Sequence, residues 1–139
     1  MANWLRGVIH LRGSKQSLRK FILNLIDPDD LEAANVNENS LYLKTTSHVG
    51  FHIANTCGNY IDGYEVNINF LDATIDENGN YIFSMDFASC CSIEVEELLT
   101  VANKYKIDVY IDVADAWGGY THQLLIQCGI VTKNEINEL

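Results

Sequence analysis

Near the start of the chain, the period of the hydrophobic pattern changes from two residues, as in a strand, to about 3.6 residues, as in a helix. Residues 4–12 alternate roughly between apolar and polar side chains, which predicts a strand. A helix is predicted over 15–26, because one apolar face recurs at i, i+3, i+4 and i+7: Leu18, Phe21, Ile22 and Leu25. Ser14 is placed to cap this helix, and Asp27-Pro28 to end it, because the residue before proline avoids the helical region.

The clearest alternation occurs in two segments on either side of a turn sequence. Apolar and polar residues alternate over 64–70 and again over 81–87, with Asp76-Glu77-Asn78-Gly79-Asn80 between them. Asn-Gly between alternating segments favours a hairpin, since both residues tolerate a positive φ. We therefore predict a long β-hairpin from these two segments.

The C-terminal part predicts one helix and two strands. Ser92 is placed to open a helix over 93–105, with glutamates in its first turns and lysines near its end. Residues 107–113 alternate as a strand, and 120–128 predict a last strand. The final ten residues or so are predicted to be a loose tail or a short helix.

The least regular part is 27–62, which we expect to form an insert. Two segments in it, 40–45 and 48–54, could pair as short strands, and 57–63 is a turn-rich connection. The predicted order is then strand, helix, insert, hairpin, helix, strand and an extra strand. This is the βαββαβ order of a single ferredoxin-like α+β domain over 1–139, with both helices on one face of an antiparallel sheet.

Charge and composition change the picture of possible partners. The chain has 139 residues, 47% of them hydrophobic, and a net charge of −10. Residues 61–139 hold fourteen acids and three bases, while the first 60 are nearly neutral. This acidity argues against direct binding of nucleic acid or an anionic membrane and can orient the molecule towards a basic partner. The simpler interpretation is that the acids keep a small protein in solution.

No secretory signal or membrane-spanning run is visible in the sequence, and its four cysteines show no paired spacing. The simplest expectation is a reduced protein in the cytoplasm.

Several segments resemble one family of phage and mobile-element proteins. They are Ala2-Asn3-Trp4 followed by Gly7-Val8, the Arg12-Gly13 turn, and the helix from Ser92 that ends in Ala102-Asn103-Lys104-Tyr105 before the Ile107–Val113 strand. These segments, about a third of the chain, resemble proteins with a YubB-type ferredoxin-like domain. Members commonly carry cysteine where this chain has Leu5. The resemblance implies a ferredoxin-like fold and a mobile-element origin, and it brings no catalytic residues.

The uncovered face of the predicted sheet carries candidate binding residues. Arg6 and His10 would lie on its central strand, with Asp86 on one side and Asp108 and Asp112 on the other. Clustered carboxylates could imitate phosphates before a basic protein groove, or bind a divalent cation. The simpler interpretation is that Arg6 and Arg12 pair with these acids on a solvated face. An RNA-binding face of this kind would need more aromatic residues and basic surroundings.

Three further patterns have both a chemical and a plain structural interpretation. His48, His52 and Cys57 include residue types that bind zinc, but no fourth ligand lies nearby in the sequence. Cys90 or Cys91 with His122 and Asp115 has the residue types of a nucleophilic site, although no spacing enforces their meeting. Trp117-Gly118-Gly119-Tyr120 could be an exposed recognition turn, or a tight turn that closes the core.

We therefore predict a non-enzymatic acidic binding protein with no cofactor, no metal and no catalytic residues. Its partner would be a host protein with a basic surface, such as a nucleic-acid-binding defence protein of the CRISPR type, and it would be a monomer or small homo-oligomer. The predicted partner-binding residues are Asp86, Asp108, Tyr110, Asp112, Asp115 and Trp117. The alternatives are a small metal-dependent or cysteine-based enzyme, and an assembly protein that forms large homo-oligomers.

Overall fold

The computed structural model describes residues 4–24, 31–90, 92–115 and 117–138. These residues form eleven strands and two helices. In chain order they are β1 (Trp4–Gly13), α1 (Lys15–Asn24), β2 (Leu31–Val36), β3 (Ser40–Thr45), β4 (Phe51–His52), β5 (Asn59–Ile61), β6 (Glu65–Asn69), β7 (Thr74–Ile75), β8 (Tyr81–Cys90), α2 (Val95–Tyr105), β9 (Asp108–Asp115), β10 (Tyr120–Gln127) and β11 (Ile130–Glu138).

Eight of the strands form one antiparallel sheet. Its order is β11-β10-β9-β1-β8-β5-β4, and β7 pairs with the beginning of β8. The first strand, β1, lies between β8 and β9, as the sequence predicted for the centre of the sheet. The side chains of β1, β8 and β9 therefore form the surface at the middle of this sheet.

The prediction of a ferredoxin-like α+β sandwich is wrong. The described residues are mostly strand, with an eight-stranded sheet and a second, three-stranded sheet of order β2-β3-β6, where the prediction had one sheet of about five strands. The difference arises largely in 31–62, which contains four strands although we expected an irregular insert. Two of these strands, β4 and β5, have only two and three residues, and β2 is almost wholly exposed, so the alternation that marks a half-buried strand is weak in these three.

The predicted long hairpin is also wrong, although both of its segments are strands. β6 pairs with β3 and not with β8, while Asn78-Gly79 joins β8 to the two-residue strand β7. The predicted pair of 40–45 with 48–54 fails similarly, because β3 pairs with β2 and β6, and β4 pairs with β5. Alternation shows that a strand has one buried face, but it does not choose the strand's neighbour.

The C-terminal segment forms a strand, which corrects the prediction of a tail or a helix. β10 and β11 pair as a hairpin whose turn is Cys128-Gly129. Both turn residues have a positive φ, 52° and 79°, as a two-residue hairpin turn requires. Glycine adopts this conformation freely, but cysteine is an uncommon residue in it, so this turn has only a weak signal in the sequence.

Both helices begin and pack close to where the sequence placed them. The backbone N–H of Ser17 donates to Ser14 Oγ at 3.1 Å, so Ser14 caps α1 as predicted, and Leu18, Phe21 and Ile22 are buried. The predicted end of this helix, including Leu25 and Asp27-Pro28, lies outside the described residues. The second helix begins later than expected, with Glu94 at its N-cap in place of Ser92.

One cluster of buried side chains joins the two helices and both sheets. From the large sheet it contains Leu5, Ile9 and Leu11 of β1 and Val109, Ile111 and Val113 of β9. Leu41, Leu43, Val66 and Ile68 enter it from the small sheet. The even-numbered residues of β1 and β9 consequently lie on the opposite face of the large sheet, which we call the open face.

Candidate functional site

The open face carries the even-numbered side chains of β1 and the side chains that pair with them, strand by strand, across the large sheet. Antiparallel pairing places residues of neighbouring strands side by side on one face. The main described residues of the open face are Arg6, Val8, His10 and Arg12 on β1, Ser84 and Asp86 on β8, Asp108, Tyr110 and Asp112 on β9, Gln123 and Leu125 on β10, and Lys133 and Glu135 on β11.

Two carboxylates lie on either side of Val8 at the middle of the open face. Val8 is paired with Asp86 on one neighbouring strand and with Asp112 on the other. Asp86 is exposed and Asp112 is partly exposed. Within the described residues, neither carboxylate has a hydrogen bond or an ion pair. Two strand spacings separate them, about 10 Å, so they present two separate negative charges to solvent.

A pair of rings lies next to these carboxylates. The rings of His10 and Tyr110 are 5.6 Å apart between centroids, and His10 Nδ1 is 2.6 Å from Ser84 Oγ. Tyr110 is therefore on the open face, as predicted, and it adds a partly exposed aromatic surface beside Asp112. A flat apolar ring next to a charged group is a common arrangement in protein interfaces.

Asp108 is on the same face but already has partners. Arg12 donates from Nε and Nη2 to Asp108 Oδ2 at 3.0 and 2.6 Å, and the backbone N–H of Cys128 donates to Asp108 Oδ1 at 3.0 Å. The hydrogen bond to Asp108 raises the pKa of Arg12 above its ordinary value. Asp108 therefore joins β1, β9 and the last hairpin turn, and this structural role explains it without a binding partner.

The carboxylate of Asp76 lies at the far side of Arg12, 3.9 Å from Nη1. Hydrogen bonds from the backbone N–H groups of Asn80 and Asn78 lower the pKa of Asp76, and the charge of Arg12 adds to this effect. Asp76 thus closes the turn before β8, in the Asn-Gly segment that the sequence identified as a turn.

An aromatic group forms one corner of the open face. The ring of Trp4 is 6.2 Å from that of Tyr60, which is 5.3 Å from that of His52. Arg6 lies over Trp4, with its guanidinium carbon 5.4 Å from the ring centroid, and its Nη1 donates to Asp62 Oδ2 at 3.0 Å. The sequence did not predict this group, because Tyr60 was assigned to a turn and not to a strand beside β8.

The last two predicted residues lie at the end of the β9–β10 hairpin. Asp115 Oδ1 accepts a hydrogen bond from the backbone N–H of Trp117, and the carbonyl oxygen of Asp115 accepts one from Gly118. Trp117 is 77% exposed at this turn. The predicted residues therefore do not form one patch. Asp86, Tyr110 and Asp112 share the open face, where Asp108 is already engaged by Arg12. Asp115 and Trp117 belong to the turn.

Within the part of the chain that the structure describes, neither of the two chemical patterns considered for an enzyme is assembled. His52 Nε2 is 2.6 Å from the carbonyl oxygen of Thr56, and no group of three or more possible metal ligands occurs within the described residues. Cys90 lies on the open face and the buried His122 on the opposite face, so the sheet separates them. Cys91 lies outside the described residues.

A buried polar network, which the sequence did not reveal, holds α2 against the β5 loop. Asn59 is fully buried; its Nδ2 donates to Ser89 Oγ and to the carbonyl oxygen of Ser92, and its Oδ1 accepts from the backbone N–H of Glu94. The carboxylate of Glu94 accepts from the backbone N–H groups of Cys57 and Gly58 at 2.8 to 2.9 Å. Such a network depends on residues 30 to 37 positions apart, so no local pattern indicates it.

Comparison of the chain with protein-family models, with curated proteins and with solved structures finds no match. The resemblance to phage and mobile-element proteins therefore stays a prediction. Neither helix of the described part of the chain is long and apolar enough to cross a lipid bilayer.

Proposed function

We propose that this protein is a non-enzymatic binding protein that uses its open face to occupy a basic site on a host protein. The observation that supports this most is the pair of unengaged carboxylates, Asp86 and Asp112, on either side of Val8. Asp86 is exposed and Asp112 partly exposed, in a face whose other main charges are already paired.

The balance of charges on the open face explains why these two acids are available. The face carries three basic side chains within the described residues, and each pairs with an acid: Arg6 with Asp62, Arg12 with Asp108 and Lys133 with Glu135. No base remains for Asp86 and Asp112. Ion pairs between exposed side chains contribute little to stability, but unpaired charges increase the rate and specificity of association with a partner of opposite charge.

The basic site on the partner would be one that otherwise binds nucleic acid. Such sites are lined by lysine and arginine to neutralise phosphates, so a chain of net charge −10 fits them while being repelled by nucleic acid itself. The resemblance to mobile-element proteins adds a class of target, a nucleic-acid-binding defence protein in the bacterial cytoplasm. In this proposal the protein inhibits that target by occupying its site.

The proposal is tested by affinity capture from nuclease-treated bacterial lysate, with the retained proteins identified by mass spectrometry. We expect the wild-type protein to retain a stoichiometric partner with a basic surface. Asp86→Asn combined with Asp112→Asn removes both unengaged charges and keeps the size of the side chains. Retention of the partner is expected to fall at least about tenfold, because two charge contacts are lost from the interface.

The matched control removes two charges elsewhere. Glu38→Gln combined with Glu77→Gln changes the net charge by the same amount, in exposed loop residues outside the open face. This variant is expected to retain the partner as the wild type does. Equal losses in both double variants would show that only the overall charge matters, and equal retention in all three proteins would contradict the proposed role of the open face.

A further inference from the structure

The strand β11 is a long edge of the eight-stranded sheet. It occupies one end of the strand order and, within the described residues, pairs only with β10. It is nine residues long, whereas β4 at the other end has two. The backbone groups on the outer side of an edge strand are unpaired and can form the hydrogen bonds of a further strand.

Two features leave this edge accessible to another strand. Ile130 and Ile136 are 64% and 62% exposed, although apolar side chains of this size are usually covered. The irregularity in the pairing of β10 with β11 falls between Leu125 and Ile126, so Lys133 to Glu138 keep a regular register. The regular part of the edge therefore includes all the charged residues of β11.

Symmetry limits the ways in which two copies of β11 can pair. In an antiparallel pair, residues that lie directly opposite each other project to the same face of the sheet. A two-fold axis perpendicular to the sheet also keeps every side chain on its own face, so it must pass through a position where one residue lies opposite its own copy. With Lys133 or Glu135 on the axis, like charges face each other. With Asn134 on the axis, Lys133 of each copy lies opposite Glu135 of the other. With Ile136 on the axis, neither Lys133 nor Glu135 lies opposite a charged residue.

The charges of β11 thus favour one register. Within one copy, Lys133 Nζ and Glu135 Oε2 are already 3.7 Å apart on the open face, both side chains partly exposed. The register centred on Asn134 would add two cross-strand pairs of opposite charge around the axis, and opposite charges in directly paired positions stabilise a sheet.

We propose that the protein forms a symmetric dimer by antiparallel pairing of β11 with β11 of a second copy, with Asn134 on the two-fold axis. The axis is perpendicular to the sheet, so the sheet continues through both copies and the two open faces point the same way. A partner with two basic sites, or a long basic groove, would then meet two open faces at once, which strengthens binding without a new type of contact.

Charge reversal tests both the dimer and its register. The wild-type protein is expected to sediment with twice the mass of one chain at high concentration and to dissociate on dilution. Lys133→Glu or Glu135→Lys alone turns both cross-strand pairs into like-charge pairs, and the dissociation constant is expected to rise about tenfold or more. The double variant Lys133→Glu/Glu135→Lys restores opposite charges in both pairs and is expected to restore the dimer.

The control reverses a charge in the small sheet. Lys44→Glu breaks an exposed pair with Glu32, 3.8 Å apart, and is expected to leave the dimer unchanged. Circular dichroism and thermal unfolding of every variant establish that each is folded. A wild-type monomer at all concentrations overturns the dimer, and single variants that dimerise as the wild type does overturn the register. Neither result depends on the partner captured through the open face, because sedimentation uses the purified chain alone.

Discussion

Replacing Asn59 with alanine is expected to lower the free energy of unfolding by about 2–4 kcal/mol. The Asn59 side chain is fully buried, and its three hydrogen bonds lead to Ser89, to Ser92 and to the start of α2. Alanine removes all three, leaving the carbonyl oxygen of Ser92 without its Asn59 donor and the backbone N–H of Glu94 without its Asn59 acceptor. It also leaves a small cavity in a packed region.

The effect is measured by urea denaturation of the purified protein beside a control at an exposed asparagine. Asn67 is exposed on β6 and its side chain makes no hydrogen bond within the described residues, so Asn67→Ala should change the free energy of unfolding by less than about 0.5 kcal/mol. A similar small change for Asn59→Ala would show that the network contributes little to stability.

Replacing Gly7 with alanine is expected to cost about 1–3 kcal/mol, because β1 and β9 approach too closely there for a methyl group. A Cβ at position 7 would overlap with the carbonyl oxygen of Asp112 and lie 2.8 Å from the Cα of Val113. Both neighbours are backbone atoms in the centre of the sheet, so the strands themselves would have to move. The change would also displace Asp112 on the open face.

The control for this prediction is Gly119→Ala, which places a methyl group near a movable atom. Its nearest neighbour would be Asp115 Oδ2 at 3.0 Å, the end of a flexible side chain in an exposed turn. Thermal unfolding should therefore show a clear decrease in midpoint for Gly7→Ala and little change for Gly119→Ala. Equal midpoints for the two variants would mean that the sheet adjusts to a side chain at position 7 without cost.

The elements predicted correctly are those whose signals are local. The alternation of β1 and β9, the helical spacing of Leu18, Phe21 and Ile22, and the cap at Ser14 each depend on residues close in sequence. These patterns reflect one buried face and one capping hydrogen bond, both of which a short segment can specify. The position of β1 between β8 and β9 also agreed with expectation.

The wrong predictions concern strand pairing and exposed strands, which depend on packing with distant parts of the chain. β6 has the alternation of a hairpin strand, but it pairs with β3 because tertiary packing decides between possible neighbours. β11 has mostly exposed residues on both faces, so its sequence lacks the contrast that marks a strand. The three-stranded sheet was missed for the same reason, since β2 buries little.

The candidate site was predictable only in part. Alternation correctly placed Asp86, Tyr110 and Asp112 on one face of a sheet. It could not show that Asp108 is engaged by Arg12 and the backbone of Cys128, or that Asp115 closes a turn, because those contacts depend on the path of the last hairpin. The interpretation that Arg6 and Arg12 pair with the predicted acids was correct for Arg12, which pairs with Asp108. It was wrong for Arg6, which pairs with Asp62.

Photo-crosslinking from the open face shows whether a basic partner binds there. A photoreactive phenylalanine analogue replaces Tyr110, which lies beside Asp112, or Tyr64, which is 59% exposed next to β6 of the small sheet. Irradiation in lysate is expected to join the basic partner to the protein labelled at 110 and not to the protein labelled at 64. Crosslinking of the partner from position 64 alone would show that the partner binds elsewhere and would contradict the account.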